Sequence, residues 1–192
     1  MNSSTDDAVD FVLDLIRADG WRLSVLARVH DLGLPDCWVG AGFVRNLVWD
    51  RLQGHARATP PADIDVLYFD AADPRPEAEQ AIERALRRAA PELPWEVRNQ
   101  ARMHLRNGDP AYRDTTDALR HWLETATAVA VRLDAEDRLH LAAPHGLDDL
   151  LALRLRPTPA GRRRPEQYRG RVAAKDWQGL WPKLELVMPE ED

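Results

Sequence analysis

At 192 residues, with a hydrophobic share of 44% and a formal net charge of −6, the chain is long enough for one well-buried unit and too short for two comfortable ones. The acidic balance argues against a broad electrostatic grip on a long nucleic acid, while leaving a local basic patch and small anionic ligands open. No apolar run approaches membrane length, and Met1–Asp7 lacks the positive start and apolar core of a signal peptide, so a cytoplasmic location without a membrane partner is expected.

Ser4-Thr5-Asp6-Asp7 offers helix N-cap candidates ahead of Val9, Phe11, Val12, Leu15 and Ile16, whose spacing predicts an amphipathic helix ending near Gly20. Leu23, Leu26, Ala27 and Val29 predict a second helix, stopped at Gly33-Leu34-Pro35. Cys37 to Gly40 reads as a short buried strand and Phe43 to Leu52 as a helix closed by Gly54. His55 to Ala62 is a loop, and Ile64 to Phe69 a strand rich in β-branched and aromatic residues. Pro76 to Ala90 carries one apolar stripe on a helix, and a third strand runs from Trp95 to Asn99. Asn107 to Pro110 is a loop by composition. Thr116 to Glu124 reads as a helix, Thr127 to Leu133 and Arg138 to Ala142 as a hairpin, and Gly146 to Leu153 as a helix. Arg156 to Arg171, rich in Pro, Gly and Arg and without apolar periodicity, reads as a loop or flap. Trp177 to Val187 is expected to pack back on the core. This order favours an α+β fold in a single domain over 1–192, its core at about 35–155 with helical extensions at both ends. Cys37, the lone cysteine, forms no internal disulfide and reads as a buried small hydrophobe.

The chemistry concentrates in two short motifs. Ala41-Gly42-Phe43-Val44-Arg45-Asn46 places a glycine turn between strand and helix, where free N–H groups can meet a phosphate. Asp63-Ile64-Asp65-Val66 follows 21 residues after Gly42. On a strand Asp63 and Asp65 project to one side while Ile64 and Val66 enter the other layer. Two carboxylates so close repel each other, and a hard divalent cation that bridges phosphate oxygens is a common reason to keep them. Either motif alone is weak, since glycines often serve packing and acids often end strands at solvent. Together they point to metal-dependent phosphoryl transfer of the nucleotidyltransferase kind.

Glu96, between Trp95 and Val97, reads either as a third carboxylate beside the doublet or as an ordinary exposed strand residue. As a third acid it would hold metal and help deprotonate an acceptor hydroxyl. Arg98, Asn99, Gln100, Arg102 and His104 form a polar run. Arg98 shares the Glu96 face and is a candidate phosphate contact, while the amides could read a base or sugar or simply bond the backbone. His104 reads as structural. Arg45 is a candidate triphosphate contact, with pairing to Asp50 as the alternative. Glu124 reads as helical surface more than as a hidden acid behind the site. Arg162-Arg163-Arg164 reads as a solvated run more than as a contact for a phosphorylated acceptor, and Trp177 and Trp181 as packing residues more than as a base-stacking platform.

Val39 to Asn46 with Asp63-Ile64-Asp65 resembles the glycine-turn and acidic-doublet pattern of the polymerase-β-like nucleotidyltransferase superfamily, which includes the tRNA CCA-adding enzymes. Trp95 to His104, Glu124 to Val129, Gly146 to Leu150 and Lys175 to Pro182 resemble a bacterial nucleotidyltransferase-like family of unknown function, and that likeness spans about residues 35 to 185. The resemblance implies a small mixed sheet flanked by helices, Mg²⁺ with Mn²⁺ as an alternative, and NMP transfer from an NTP to a hydroxyl. It names no acceptor. Ala41 departs from the second glycine or serine of many members, and the loop before Asp63 is long. No extended RNA-binding region follows, so direct tRNA maturation is not expected. The expected activity is therefore a metal-dependent nucleotidyltransferase using Asp63, Asp65 and Glu96 as metal ligands and catalytic acids, with Gly42, Arg45 and Arg98 on the nucleotide. The alternatives are a nucleotide-binding or regulatory protein that has lost turnover and a metal-dependent phosphohydrolase. Oligomeric state is left open.

Overall fold

The computed structural model describes residues 3 to 189. The expected leaderless start at Met1-Asn2 and the capping role of the Ser4 side chain lie outside the described residues. Two helices open the fold, α1 (Ser3–Arg17) and α2 (Gly20–His30). The first helix ends at Arg17, near Gly20 as expected, and Gly20 itself begins the second, whose N-cap Asp19 accepts from the Arg22 backbone N–H.

Strand β1 (Trp38–Gly40) leads through Ala41 into α3 (Gly42–Gln53), closed by Gly54 in the left-handed region. Then come β2 (Ile64–Tyr68), α4 (Pro76–Ala89) and β3 (Trp95–Asn99). The Asn99 side chain accepts from the Ala101 N–H, turning β3 directly into α5 (Gln100–Asn107). Helix α6 (Thr115–Leu119) is shorter than the predicted Thr116–Glu124 segment, and an irregular stretch follows it to β4 (Ala130–Leu133) and β5 (Leu139–Ala142). A short α7 (Asp148–Leu151) precedes β6 (Arg154–Leu155).

The region read as a loop from Arg156 to Arg171 is largely helical. Thr158 caps α8 (Pro159–Arg163) through the Gly161 N–H, and Pro165 begins α9 (Pro165–Lys175). Both prolines stand at the first helical position, where a fixed φ helps and the missing N–H costs nothing. Periodicity missed these helices because α9 buries little beyond Tyr168 and turns a polar face inward. Helix α10 (Trp177–Leu180) and β7 (Glu185–Leu186) end the described chain, β7 pairing in parallel with β6. Trp177, Trp181 and Leu184 are buried in the main core, as expected for a segment that packs back.

The main sheet is mixed, in the order β3-β2-β1-β4-β5, with only β2 and β3 parallel. Strand alternation divides its faces. Val39, Ile64, Val66, Val97 and Val131 enter the main core with α1, α2 and α3. The opposite face carries Trp38, Leu67, Ala130 and Ala142, covered by Leu119 of α6 and by Trp122. The acidic residues belong to this second face. No helix among the described residues is long and apolar enough to cross a membrane.

Candidate active site

Asp65 lies opposite Glu96 in the parallel register of β2 and β3, and opposite Gly40 in the antiparallel register of β2 and β1. Asp63 stands two residues before Asp65, just ahead of the first residue of β2. One carboxylate oxygen from each of Asp63, Asp65 and Glu96 lies within 4.8 Å of the other two. Such a set of hard oxygen donors could hold a divalent cation. Burial and the Asp63 and Glu96 carboxylates push the Asp65 acid up to about 7, with Arg171 and Arg45 pulling the other way. A cation at this point would relieve that repulsion.

The segment that delivers Asp63 is pinned from α3. The Asp50 carboxylate accepts from the Thr59 N–H at 2.6 Å and from the Thr59 hydroxyl at 2.8 Å. It also accepts from Trp181 Nε1 at 2.8 Å, and His55 Nδ1 is 2.9 Å away. Asn46 Nδ2 reaches the Pro60 carbonyl at 3.4 Å. Asp50 is thus a structural hub and not a partner of Arg45.

Beside the acids, Ala41 turns the chain from β1 into α3 at φ 55°, ψ −123°. This is a glycine-favouring conformation held by an alanine, so the strain of the turn falls on Ala41 and not on Gly42. A Cβ on Gly42 would meet nothing nearer than 3.4 Å. Arg45 N bonds back to the Ala41 carbonyl at 3.0 Å, which leaves the Gly42 and Phe43 N–H groups ahead of the first helical bond.

A cavity of about 240 Å³ joins Gly42, Asn46, Asp63, Asp65 and Glu96 to Lys175 and Arg171 of α9. Arg45 lies in its wall, buried. Its Nη1 donates to the Thr127 hydroxyl at 3.0 Å and its Nη2 to Asn46 Oδ1 at 2.9 Å, and its guanidinium lies 5.2 Å from the rings of both Trp49 and Trp177. Burial lowers its pKa to about 10 against the pull of Glu124 and the aspartates. Arg98 stands outside this cavity. Its guanidinium is 2.8 Å from Glu96 and 3.7 Å from Glu83 at the sheet edge.

Other candidates resolve into structural parts. Asn99 is fully buried, accepting from the Asp70 N–H and donating to the Asp70 and Asp73 carbonyls. Gln100 donates to the Arg98 carbonyl, Arg102 pairs with buried Glu79, and His104 packs edge-on to Tyr112. Glu124 is not helical surface; it is 1% exposed and paired with Arg171 at 2.8 Å. Burial raises its pKa, with Arg171 and Arg45 opposing. Cys37 is half-buried, and burial with the Asp36 charge pushes its thiol up to about 12, which suits a packing residue.

Sequence reasoning missed Arg171 and Lys175. Their signal was the polar spacing Arg164, Gln167, Arg171, Lys175, which is the i, i+3, i+7, i+11 stripe of one helix face.

A solved NMR structure described as revealing a CCA-adding enzyme head domain superposes with a TM-score of 0.83, at 35% identity over 92% of this chain and 94% of that one. Two structures of tRNA-processing enzymes share the fold, one in an apo form (TM-score 0.53, 19% identity) and one with CTP (TM-score 0.51, 20% identity). Each covers 85% of this chain, which spans only 44% and 43% of their own lengths. No curated protein sequence matches the chain. A sequence model described as nucleotidyltransferase matches residues 27–186, a span that holds the glycine turn, all three acids and the α9 stripe. The chain belongs to that nucleotidyltransferase family.

Proposed function

We propose that the protein transfers NMP from an NTP to a hydroxyl of an acceptor, with a divalent cation held by Asp63, Asp65 and Glu96. The observation that carries this reading is the convergence of three carboxylates within 4.8 Å of one another in the cavity that also holds Gly42 and Lys175. When bound, the cation neutralises phosphate charge and makes the acceptor hydroxyl more acidic. The acceptor oxygen bonds to the α-phosphorus as the bond to the leaving pyrophosphate breaks. In the chain itself, the Gly42 and Phe43 N–H groups and the cationic Arg171 and Lys175 are suited to the triphosphate. Buried Arg45 holds positive charge in the wall behind them. Glu96, on the edge strand, would take the acceptor's proton.

A second reading is a nucleotide binder without turnover. The Glu96–Arg98 ion pair at 2.8 Å favours it, because a carboxylate held by arginine is a poorer base. Each α-labelled NTP, incubated with Mg²⁺ or Mn²⁺ and with small hydroxyl compounds, RNA and cell extract, tests both. RNA belongs in that set because the solved structures of like fold include tRNA-processing enzymes. Label covalently attached to an acceptor, and lost in Glu96→Gln while NTP binding persists, supports transfer. NTP bound unchanged across all acceptors supports the binder, and label released as free NDP or NMP would indicate hydrolysis.

A further inference from the structure

At the level of the acids, sheet register sets out one row of positions on one face. Glu96 pairs with Asp65, Asp65 with Gly40, and Gly40 with Ala130. Carboxylates occupy the β3 side of this row, and a bare glycine follows them. A Cβ on Gly40 would come within 3.0 Å of Leu67 Cδ1 and 3.5 Å of the Trp122 ring. The tight contacts are to Leu67 and to the Val129 carbonyl at 3.3 Å, while the indole lies at ordinary contact distance over the sheet beside Asp65.

A second cavity of about 240 Å³ opens here. It shares Ala41, Asp65 and Arg171 with the first and is otherwise lined by groups such as Trp122, His121, Asn107 and Gln167, without Glu96. Its wall is braced. The His121 and Tyr112 rings pack at a tilt of 38° with centroids 4.9 Å apart, Arg164 Nη2 donates to the His121 carbonyl at 2.7 Å, and Asn107 Nδ2 donates to the Tyr112 hydroxyl at 3.1 Å. Among the described residues Asn107 Oδ1 has no hydrogen-bond partner, and the exposed Gln167 side chain makes no hydrogen bond.

We infer that this second cavity takes the base and ribose of the NTP, with Asn107 and Gln167 reading the base edge, and that the acceptor enters from the Glu96 side. The inference rests on the proposed transfer reaction. Three groups must diverge from the α-phosphorus: the leaving pyrophosphate, the acceptor and the nucleoside. Gly42 and Lys175 draw the triphosphate tail one way, and Glu96 draws the acceptor hydroxyl another. The nucleoside needs a third direction that offers a flat apolar contact and neutral hydrogen-bonding groups, which Trp122 and the two amides supply. Both sides carry charge, with Asp65, Glu124, Arg164 and Arg171 on this cavity and Glu83, Arg87, Glu96 and Arg98 around Asp63 on the β3 side; the β3 side differs in that no amide side chain lines it and its Trp95 is only 2% exposed.

The test is photo-cross-linking of the full chain with an azido-purine and a thio-pyrimidine NTP in Mg²⁺, with the labelled peptides read by mass spectrometry. Label in residues 121–124 or 164–171 is expected; label confined to residues 83–98 overturns the inference. In parallel, Gln167→Ala should shift the ratio of affinities among the four Mg²⁺–NTPs by about fivefold, the worth of one hydrogen bond, while affinity for inorganic triphosphate holds. Unchanged ratios would remove Gln167 as a reader of the base. If the wild-type protein binds no NTP, the transfer reading falls together with this one; if it binds NTP but cross-links only on the β3 side, this one falls alone.

Discussion

Arg171 of α9 and Glu124 of the α6–β4 connection lie 2.8 Å apart, the carboxylate shut from solvent and the guanidinium partly open to the cleft beside Asp65. Removing the arginine leaves an acid buried without its partner. Arg171→Ala should therefore cost about 2 kcal/mol in urea unfolding, less than a fully buried pair because Arg171 is itself 39% exposed. Glu124→Gln removes the buried charge and should cost clearly less, while weakening NTP binding because Arg171 is no longer held in place. Equal losses of stability in the two variants would contradict this asymmetry.

Asp65→Asn should stabilise the metal-free protein, since it ends the repulsion with Asp63 and Glu96. A rise in thermal midpoint of about 3 °C is expected for a chain of this size. The same substitution should abolish Mg²⁺-dependent NTP binding, and Asp63→Asn should weaken it sharply. Calorimetry showing wild-type affinity in the doubly substituted protein would remove the metal assignment.

The raised Asp65 acid also sets a pH dependence. In the unfolded chain this group ionises near its ordinary value, and in the fold only near 7. The folded state thus holds the proton more tightly, so stability from this group is full at low pH and is lost as pH rises from about 4 to about 7. Without divalent cations, denaturant unfolding should show that decline. Added Mg²⁺ should flatten it, because the cation favours the ionised form. A decline of the same size with and without Mg²⁺, or one absent from the metal-free protein, would count against the arrangement.

Ala41→Gly should stabilise the fold by about 1 kcal/mol, relieving a positive φ that costs an alanine more than glycine loses through its freer unfolded chain. Chemical denaturation measures it. A loss of stability would mean that the Ala41 methyl group contributes packing worth more than the strain.

The strand, turn, helix and second strand around Gly42 and Asp65 were legible because alternation and a glycine junction are local signals. The C-terminal helices were not, since α9 faces a polar cleft and so lacks the apolar stripe that marks a buried helix. Thr158 followed by Pro159 did carry the cap signal, but a proline in a Gly- and Arg-rich stretch suits a loop as well as a first helical position. Glu124 was misplaced for a related reason. The arginine that pairs with it in the interior, Arg171, lies 47 residues further along the chain, and no window around Glu124 contains that partner. For Arg45 and Arg98 the sequence offered a phosphate contact but not the partners they have in the fold, Asn46 and Thr127, which lies outside α3, for the one and Glu96 for the other.

Asp50 binds both the loop that leads to Asp63 and the indole of Trp181. One wall of the cleft comes from the middle of the chain and the other from its far end, yet both hang from a single carboxylate on α3. The two walls are therefore not independently adjustable. A substitution or fusion that displaces the Trp177–Trp181 segment would be transmitted to the position of the acidic doublet, so that an alteration far along the chain registers as a change in cation affinity while the acids themselves are untouched.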